Sequence, residues 1–373
     1  MPIFSSTSTF VRFSVESPVE SDLASFLAEV FKKGAFKDPE PLQKQATGFA
    51  SIENMFDTSF PYANYEKGEY VTFNFRVDER KIPTTLFKQF LHEAEVEYRK
   101  KHEGRRPHTS DWRDIKDAVE LKLLSQILPS PRAFEVVWSP VSKYLLFGST
   151  QEKIIDLFLE HFEEHFKLYP QPLDALTSAL QNKQLGQQEK DHLSRLIASK
   201  SRELNKDIFL GSEFLIWLWF YSDAHEGNVT MGKDTNFELF VGNKIILEQV
   251  TEGKKQKVSC TGPDAAHSEA RTALREGKKI KEAEYQINVG ENKYSFTLDT
   301  RLWAVKGLKT PKVASSLHDD DPEGRFFEKM YLIEEALKYI DLLYHHFLTI
   351  RLGITWERDV IPELKKWVEE GPR

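Results

Sequence analysis

The sequence predicts an α+β fold of antiparallel sheets with packed helices. Two observations lead there. Stretches that alternate apolar and polar residues read as half-buried strands, and they occur in the same chain as amphipathic helical stretches. Two of the strand-like stretches are separated only by Gly290-Glu291-Asn292, a turn short enough to close an antiparallel hairpin. A third feature is a long charged helical stretch between two strands, which reads as a projecting helical arm.

In chain order, Thr9–Val15 alternates and predicts a strand. Ser17-Pro18 opens a helix whose Leu23, Phe26, Leu27, Val30 and Phe31 share a face. Strands follow at Gly48–Glu53 and Tyr70–Val77. Pro83 falls just inside a helix running to about His102, since a first helical turn tolerates proline. Glu103-Gly-Arg-Arg-Pro-His108 interrupts it, and Ser110-Asp111 caps a second helix through about Leu128. Arg132–Trp138 and Tyr144–Phe147 read as paired strands, and Gln151–Leu168 as an amphipathic helix.

Gln171–Asn205 is polar, with short helices. The second half opens with a helix over Gly211–Asp223, then strands at Phe237–Val241, Lys244–Thr251, Lys279–Val289 and Lys293–Leu298. Ser315–Gly324 is a solvated loop, and two helices, Arg325–Gly353 and Thr355–Glu370, close the chain. The expected division is an α+β centre from 1–75 and 135–200, a basic helical arm with a Pro-rich tip from 76–134, and an α+β base domain from 206–373.

At 373 residues, with 40% hydrophobic and 12% aromatic side chains, the chain can bury a large core. Phe214–Phe220 is a seven-residue apolar run against the ~20 that a membrane helix needs, so it predicts core rather than a span, and no membrane partner is expected. No charged start with an apolar block marks a secretory leader. The single Cys260 excludes an internal disulfide and a multi-cysteine metal site, which fits a reducing cytoplasm.

The net charge of −7 argues mildly against nucleic acid, because duplex binding neutralises phosphates with Lys and Arg. The distribution answers part of that objection. From Arg76 to Arg106 there are nine Lys/Arg against six acids, and from Glu252 to Lys281 eight against four, while the C-terminal stretch is acidic.

Few constellations suggest chemistry. His161-Phe-Glu-Glu164-His165 matches the H-x-x-E-H zinc pattern, with both histidines on one helix face and Glu164 available as a base. The apolar stripe of Leu157, Phe158, Phe162 and Phe166 leaves those histidines toward its edge or solvent, so the expectation is an ordinary surface helix. Asp319-Asp320-Asp321 could hold Mg²⁺ in a nuclease, but before Pro322-Glu-Gly it reads as a flexible acidic loop. His345 and His346 are adjacent on a helix and point about 100° apart, so they do not share an ion. The aromatic run Phe214–Tyr221 has no interleaved cation and reads as core, not as a base-stacking platform. No phosphate-loop, dinucleotide or nucleophile-elbow pattern is present.

The arm is the remaining feature. Val77-Asp-Glu-Arg80-Lys81-Ile-Pro83 puts a basic pair where strand gives way to helix, and the basic residues at 88, 99–101, 105 and 106 continue the charge. Interspersed Glu93, Glu95 and Glu97 also fit a plain solvated helix. Phosphate contacts need only reachable cations, so spacing alone does not decide.

The order of that basic turn, the helical arm, the Pro-bracketed Ile127-Leu-Pro-Ser-Pro-Arg-Ala-Phe134 and the return strand Tyr144–Phe147 resembles the recombination-associated RdgC family of bacterial DNA-binding proteins. Gly277-Lys278-Lys279-Ile280, Tyr294-Ser-Phe-Thr-Leu298 and Leu308-Lys309 resemble its later segments. The chain differs in an extra Ser-Pro pair, in added length near 104–110 and 200–245, and in Cys260-Thr-Gly-Pro-Asp264 where the family carries a basic stretch. Lys254-Lys-Gln-Lys257 lies just upstream of that position.

The resemblance implies a horseshoe-like protomer that closes with a second copy into a homodimeric ring around double-stranded DNA. Such a ring binds without sequence preference or cofactor, associates with the nucleoid, and modulates recombination or replication by limiting recombinase access. A recombinase is then affected only indirectly, through the DNA. Carried over residue by residue, Arg80, Lys81, Lys88, Arg99, Lys100, Lys101, Arg105 and Arg106 would contact DNA, with Lys278, Lys279 and Lys309 from the other half, and Arg132, beside Phe134, would be a DNA or interface contact. Phe134 would be the apolar dimer contact at the arm's tip. No catalytic residue is implied. The rival readings are a metal-dependent DNA exonuclease using Asp319–Asp321, a zinc hydrolase using His161, Glu164 and His165, and a pure protein-interaction module.

Overall fold

A computed structural model describes residues 3–16, 23–200, 208–232, 235–251, 254–262, 265–312 and 321–370. The elements in chain order are β1 (Ser8–Ser14), α1 (Leu23–Gly34), β2 (Gln45–Ala50), β3 (Glu66–Lys67), β4 (Tyr70–Glu79), α2 (Thr84–Lys101), α3 (Thr109–Gln126), β5 (Ser130–Ser139), β6 (Tyr144–Phe147), α4 (Glu152–Phe166), β7 (Gln171–Pro172), α5 (Ala175–Leu180) and α6 (Gln187–Lys200). The second half contributes α7 (Phe209–Ala224), β8 (Asn228–Met231), β9 (Thr235–Thr251), β10 (Lys254–Thr261), α8 (Ala265–Arg275), β11 (Lys279–Val289), β12 (Asn292–Asp299), β13 (Val305–Lys309), α9 (Pro322–Leu352) and α10 (Ile361–Glu370). The fold is α+β, and the strand pairs within its sheets are antiparallel. It comprises two compact units. One is Glu16–Ser142 with Lys153–Tyr169 and carries the arm. The larger is Met1–Val15, Lys143–Glu152 and Pro170–Arg373. This division groups residues 170–200 with the C-terminal half and the arm with residues 16–75.

In the arm-bearing unit, β4 lies between β2 and β5 and is buried along almost its whole length. Pleating sends alternate side chains to opposite faces. Phe73 and Phe75 face α4, meeting Phe166 and Phe158 with ring centroids 6.0 and 5.6 Å away. Phe31 of α1 joins them, with Phe49, Tyr65 and Phe73 all within 6 Å. The opposite face of β4 is polar yet buried. Asn74 donates to the Ser51 carbonyl at 2.7 Å, and Arg76 holds Asp78 through two 2.7 Å bonds.

Gly48 of β2 fits beneath the backbone of Phe36. A Cβ there would lie 2.2 Å from the Phe36 Cα, while the Phe36 N–H donates to the Phe49 carbonyl at 2.8 Å. Glycine in a strand marks such close backbone approach. Gly48→Ala is therefore expected to cost about 3 kcal/mol through overpacking, read as a lowered urea midpoint with unchanged slope. An unchanged midpoint would refute that account.

In the larger unit, β10, β9, β11, β12, β13, β1 and β6 lie in that order, with β8 against β9 and β7 against β1. Val289 pairs with Asn292, and Gly290 turns at φ 58°, so the expected hairpin forms with a two-residue turn. The aromatic run in α7 is core, as expected. Phe214 packs on Trp303, Tyr344 and Phe347, and Ser212 and Tyr285 add hydrogen bonds between α7 and the sheet.

Two sequence expectations change here. The stretches 237–241 and 244–251 form one continuous strand, β9, whose register with β11 shifts between Val241 and Ile245, across Gly242, and again between Ile246 and Leu247. β10, unforeseen in the sequence, pairs with β9 from Lys254↔Thr251 to Thr261↔Lys244. Its Lys-Lys-Gln-Lys start hides it, because an edge strand tolerates charge and only Val258 and Cys260 are apolar.

Candidate nucleic-acid interface

The arm is an antiparallel pair of 18-residue helices, α2 and α3. No residue of α2 is buried, and α3 buries only Val119, Leu123 and Leu124. A two-helix projection has one contact face, so the remaining surface is solvated. On α2, Lys88, His92 and Arg99 recur at spacings of four and seven and share one face.

The connection between the helices is fixed rather than loose. Tyr98 donates to Asp111 at 2.7 Å, Asp111 accepts the His108 N–H at 2.9 Å, and the His102 ring stacks on Tyr98 at 4.1 Å. Hydrogen bonds from Tyr98 and the His108 backbone hold the Asp111 carboxyl below its usual range. The chain reverses at Glu103 and Gly104, whose φ of 51° and 84° are left-handed. Arg105 and Arg106 follow, exposed, beside the last turn of α2.

The distal end of the arm thus collects Arg99, Lys100, Lys101, Arg105 and Arg106. Arg99 and Lys101 pair back to Glu95 and Glu97 one turn earlier. Lys100, Arg105 and Arg106 are exposed and have no ion pair among the described residues. Lys81 and Lys88 are likewise exposed nearer the root. Sequence reasoning missed Arg113, Lys116 and Lys122 of α3. Their alternation with Asp114, Asp117 and Glu120 concealed them, though Lys122 stands over the Phe90 ring at 5.0 Å.

Other expected contacts have structural work. Arg80 donates to three carbonyls, Ile127 at 3.1 Å, Glu40 at 2.9 Å and Gln43 at 2.6 Å. It clasps the two ends of the arm to a neighbouring loop. Arg132 meets Glu79 at 3.2 Å, and Glu79 also takes Lys153 at 3.3 Å. The Pro-bracketed segment is not the tip of the arm. Ser130 pairs with Glu79 and Phe134 with Phe75, so this segment is the arm's root and Phe134 is a half-buried strand residue. Its proline pattern marked a helix-to-strand transition, which a distal turn would equally show.

In the larger unit, Lys278 is 91% buried, with its ammonium held by Glu276 at 2.5 Å. Lys279 and Lys309 are exposed but do not converge. Lys309 pairs with Ser295, which stands opposite Gln286, seven residues along β11 from Lys279 or about 23 Å of strand. Lys254, Lys255 and Lys257 lie exposed on the edge strand β10, with Lys255 paired to Glu248 at 2.8 Å.

The two metal readings fare differently. Asp321 caps α9 by accepting the Gly324 N–H at 2.8 Å, while Asp319 and Asp320 lie outside the described residues. His161 is half-buried at the edge of the apolar stripe, one of the two placements expected, rather than in solvent. Its ring lies 4.6 Å from Phe49 and 5.8 Å from Phe75, because the apolar face of α4 spreads wider than its phenylalanine stripe. Burial lowers its pKa to about 4. His345 bonds Asn182 and His346 packs on Trp217, so the two are separated as expected. Among the described residues no helix is long and apolar enough to cross a membrane.

Residues 9–188 match a protein-family model named RdgC and described as "Putative exonuclease, RdgC". The match contains the whole arm and ends before Lys278, Lys279 and Lys309. No curated protein matches the chain significantly.

Proposed function

The match over residues 9–188 supports assigning the chain to the RdgC family, and on that premise we propose that it binds double-stranded DNA without sequence preference. The observation that supports this most is the distal cluster of the arm. Lys100 in the last turn of α2 and Arg105 and Arg106 on the following loop, which Tyr98 and Asp111 brace, stand exposed with no carboxylate pairing them among the described residues. Cations so placed displace counterions from phosphates, which gives affinity that falls steeply with salt and carries no sequence information. In this reading two copies form a homodimeric ring in the cytoplasm, associated with the nucleoid. The ring modulates recombination or replication by limiting a recombinase's access to the DNA.

A second reading, a metal-dependent DNA exonuclease, is favoured by the family's printed description. One experiment separates the two: gel shifts with linear and circular duplex across a salt series, with and without Mg²⁺ or Mn²⁺. Retarded, intact DNA whose affinity falls with salt by about 0.9 decade per decade for each phosphate contacted supports the binding reading. Slower release from circular than from linear DNA supports the ring. Shortened DNA supports the nuclease, and no shift at low salt overturns DNA binding.

A further inference from the structure

We propose that His161, Glu164 and His165 form a binding site for a divalent transition metal of the zinc class, on α4 beside the C-terminal end of α1. Positions i, i+3 and i+4 of a helix share a face, and one ligand atom from each of these side chains lies within 4.8 Å of the other two. Proximity alone would be weak. The hydrogen bonds behind the rings make the case.

His161 Nε2 lies 3.0 Å from the Gly34 carbonyl, and His165 Nδ1 lies 2.9 Å from the His161 carbonyl. A carbonyl only accepts, so each of those nitrogens carries the ring proton. Nδ1 of His161 and Nε2 of His165 are then left with free lone pairs. Tying one imidazole nitrogen to a backbone acceptor is what fixes the tautomer and orientation of metal-bound histidines.

The rings are also held. Their centroids are 4.2 Å apart with a 31° tilt, and Phe49 flanks both. Gly34 makes the room, since a Cβ there would fall 2.9 Å from His165 Cδ2. Glu164 is exposed and free to rotate toward the pair. Ligands bonded at about 2 Å to a tetrahedral ion stand about 3.3 Å apart, so a spread of up to 4.8 Å narrows on binding, with Glu164 turning toward the rings.

Two imidazoles and one carboxylate suit zinc and its neighbours, whereas Mg²⁺ and Ca²⁺ call for oxygen ligands. Three protein ligands leave a fourth position for water. The bound ion would join the two α4 histidines and, through the Gly34 carbonyl, brace the end of α1. None of these residues belongs to the basic cluster, so the inference stands apart from the DNA-binding reading.

The test uses full-length, tag-free chain stripped with a chelator and titrated with Zn²⁺ against a chromophoric competitor, then with Co²⁺ followed by visible absorption. The expected result is one zinc per chain and tetrahedral cobalt bands. Glu164→Gln, an exposed change that leaves the fold intact by circular dichroism, should weaken zinc binding by about tenfold or more, and His165→Gln by about 100-fold or more, since even outer-shell losses cost 10–100-fold. Absence of zinc uptake at micromolar free metal, or equal uptake by both variants, overturns the proposal.

Discussion

Replacing Lys100, Arg105 and Arg106 together with glutamine is expected to lower duplex affinity by about 500-fold for each chain engaged at 0.1 M salt. Each cation set against a phosphate contributes about 0.9 to the log–log salt slope, hence about 0.9 decade at that concentration. Three such contacts give the stated factor, and the slope should flatten by about 2.7 per chain. These three are chosen because they are exposed and have no ion pair among the described residues, whereas Arg99 and Lys101 already face Glu95 and Glu97. The Tyr98–Asp111–His108 brace is untouched, so the loop itself should persist.

Arg80→Met supplies the contrast. Its guanidinium serves the carbonyls of Ile127, Glu40 and Gln43. Its loss should lower the melting temperature and leave the salt slope unchanged. Anisotropy titrations over 50–300 mM salt read both quantities. A triple variant with the parental slope would mean that the arm does not touch the phosphates.

That contrast shows what the sequence could tell and what it could not. Arg80 and Lys81 are adjacent and equally basic, and no local pattern separates them. One bonds carbonyls about 40 residues away in sequence and the other is solvated, a difference that only the returning chain creates. Lys278 was likewise indistinguishable from Lys279 until the chain turned its ammonium onto Glu276. Elements were more readable than charges. The hairpin at Gly290-Glu291, the apolar helix α7 and both arm helices follow from local periodicity and turn chemistry, which act over a few residues.

Where local signals conflicted, reading failed. β10 opens with three lysines in four residues and takes strand form because β9 offers an unpaired edge. The proline-bracketed segment 127–134 carries turn signals that suit an arm's tip or its root equally, and pairing with β4 decides for the root. His161 lies at the edge of the phenylalanine stripe of α4, as its spacing implies, but the strands β2 and β4 that half-cover it are not contained in helical periodicity.

Arg76 belonged to the same basic count and has the most consequential partner. It is 7% exposed and Asp78 2%, and the two share paired 2.7 Å bonds on the polar face of β4. Its guanidinium also lies 3.9 Å from the Phe36 ring centroid and 5.0 Å from that of Phe56. Asp78→Ala would leave a buried cation without its counter-charge, at an expected cost of about 3–5 kcal/mol. Asp78→Asn should cost less, because an amide oxygen still accepts one of the two bonds.

Removing both charges should recover much of the loss, since the desolvation penalty of the pair disappears with the pair itself. Arg76→Met with Asp78→Leu, read by urea denaturation alongside both single variants, gives the coupling directly. Because β4 ends at Glu79, where the arm begins, the single Asp78 variant should also speed amide exchange in β4 and β5 near the arm's root. Equal stability of Asp78→Ala and the parent would show that the ion pair is not needed to satisfy Arg76. A double variant no better than Asp78→Ala would place the cost in lost packing rather than in an uncompensated charge.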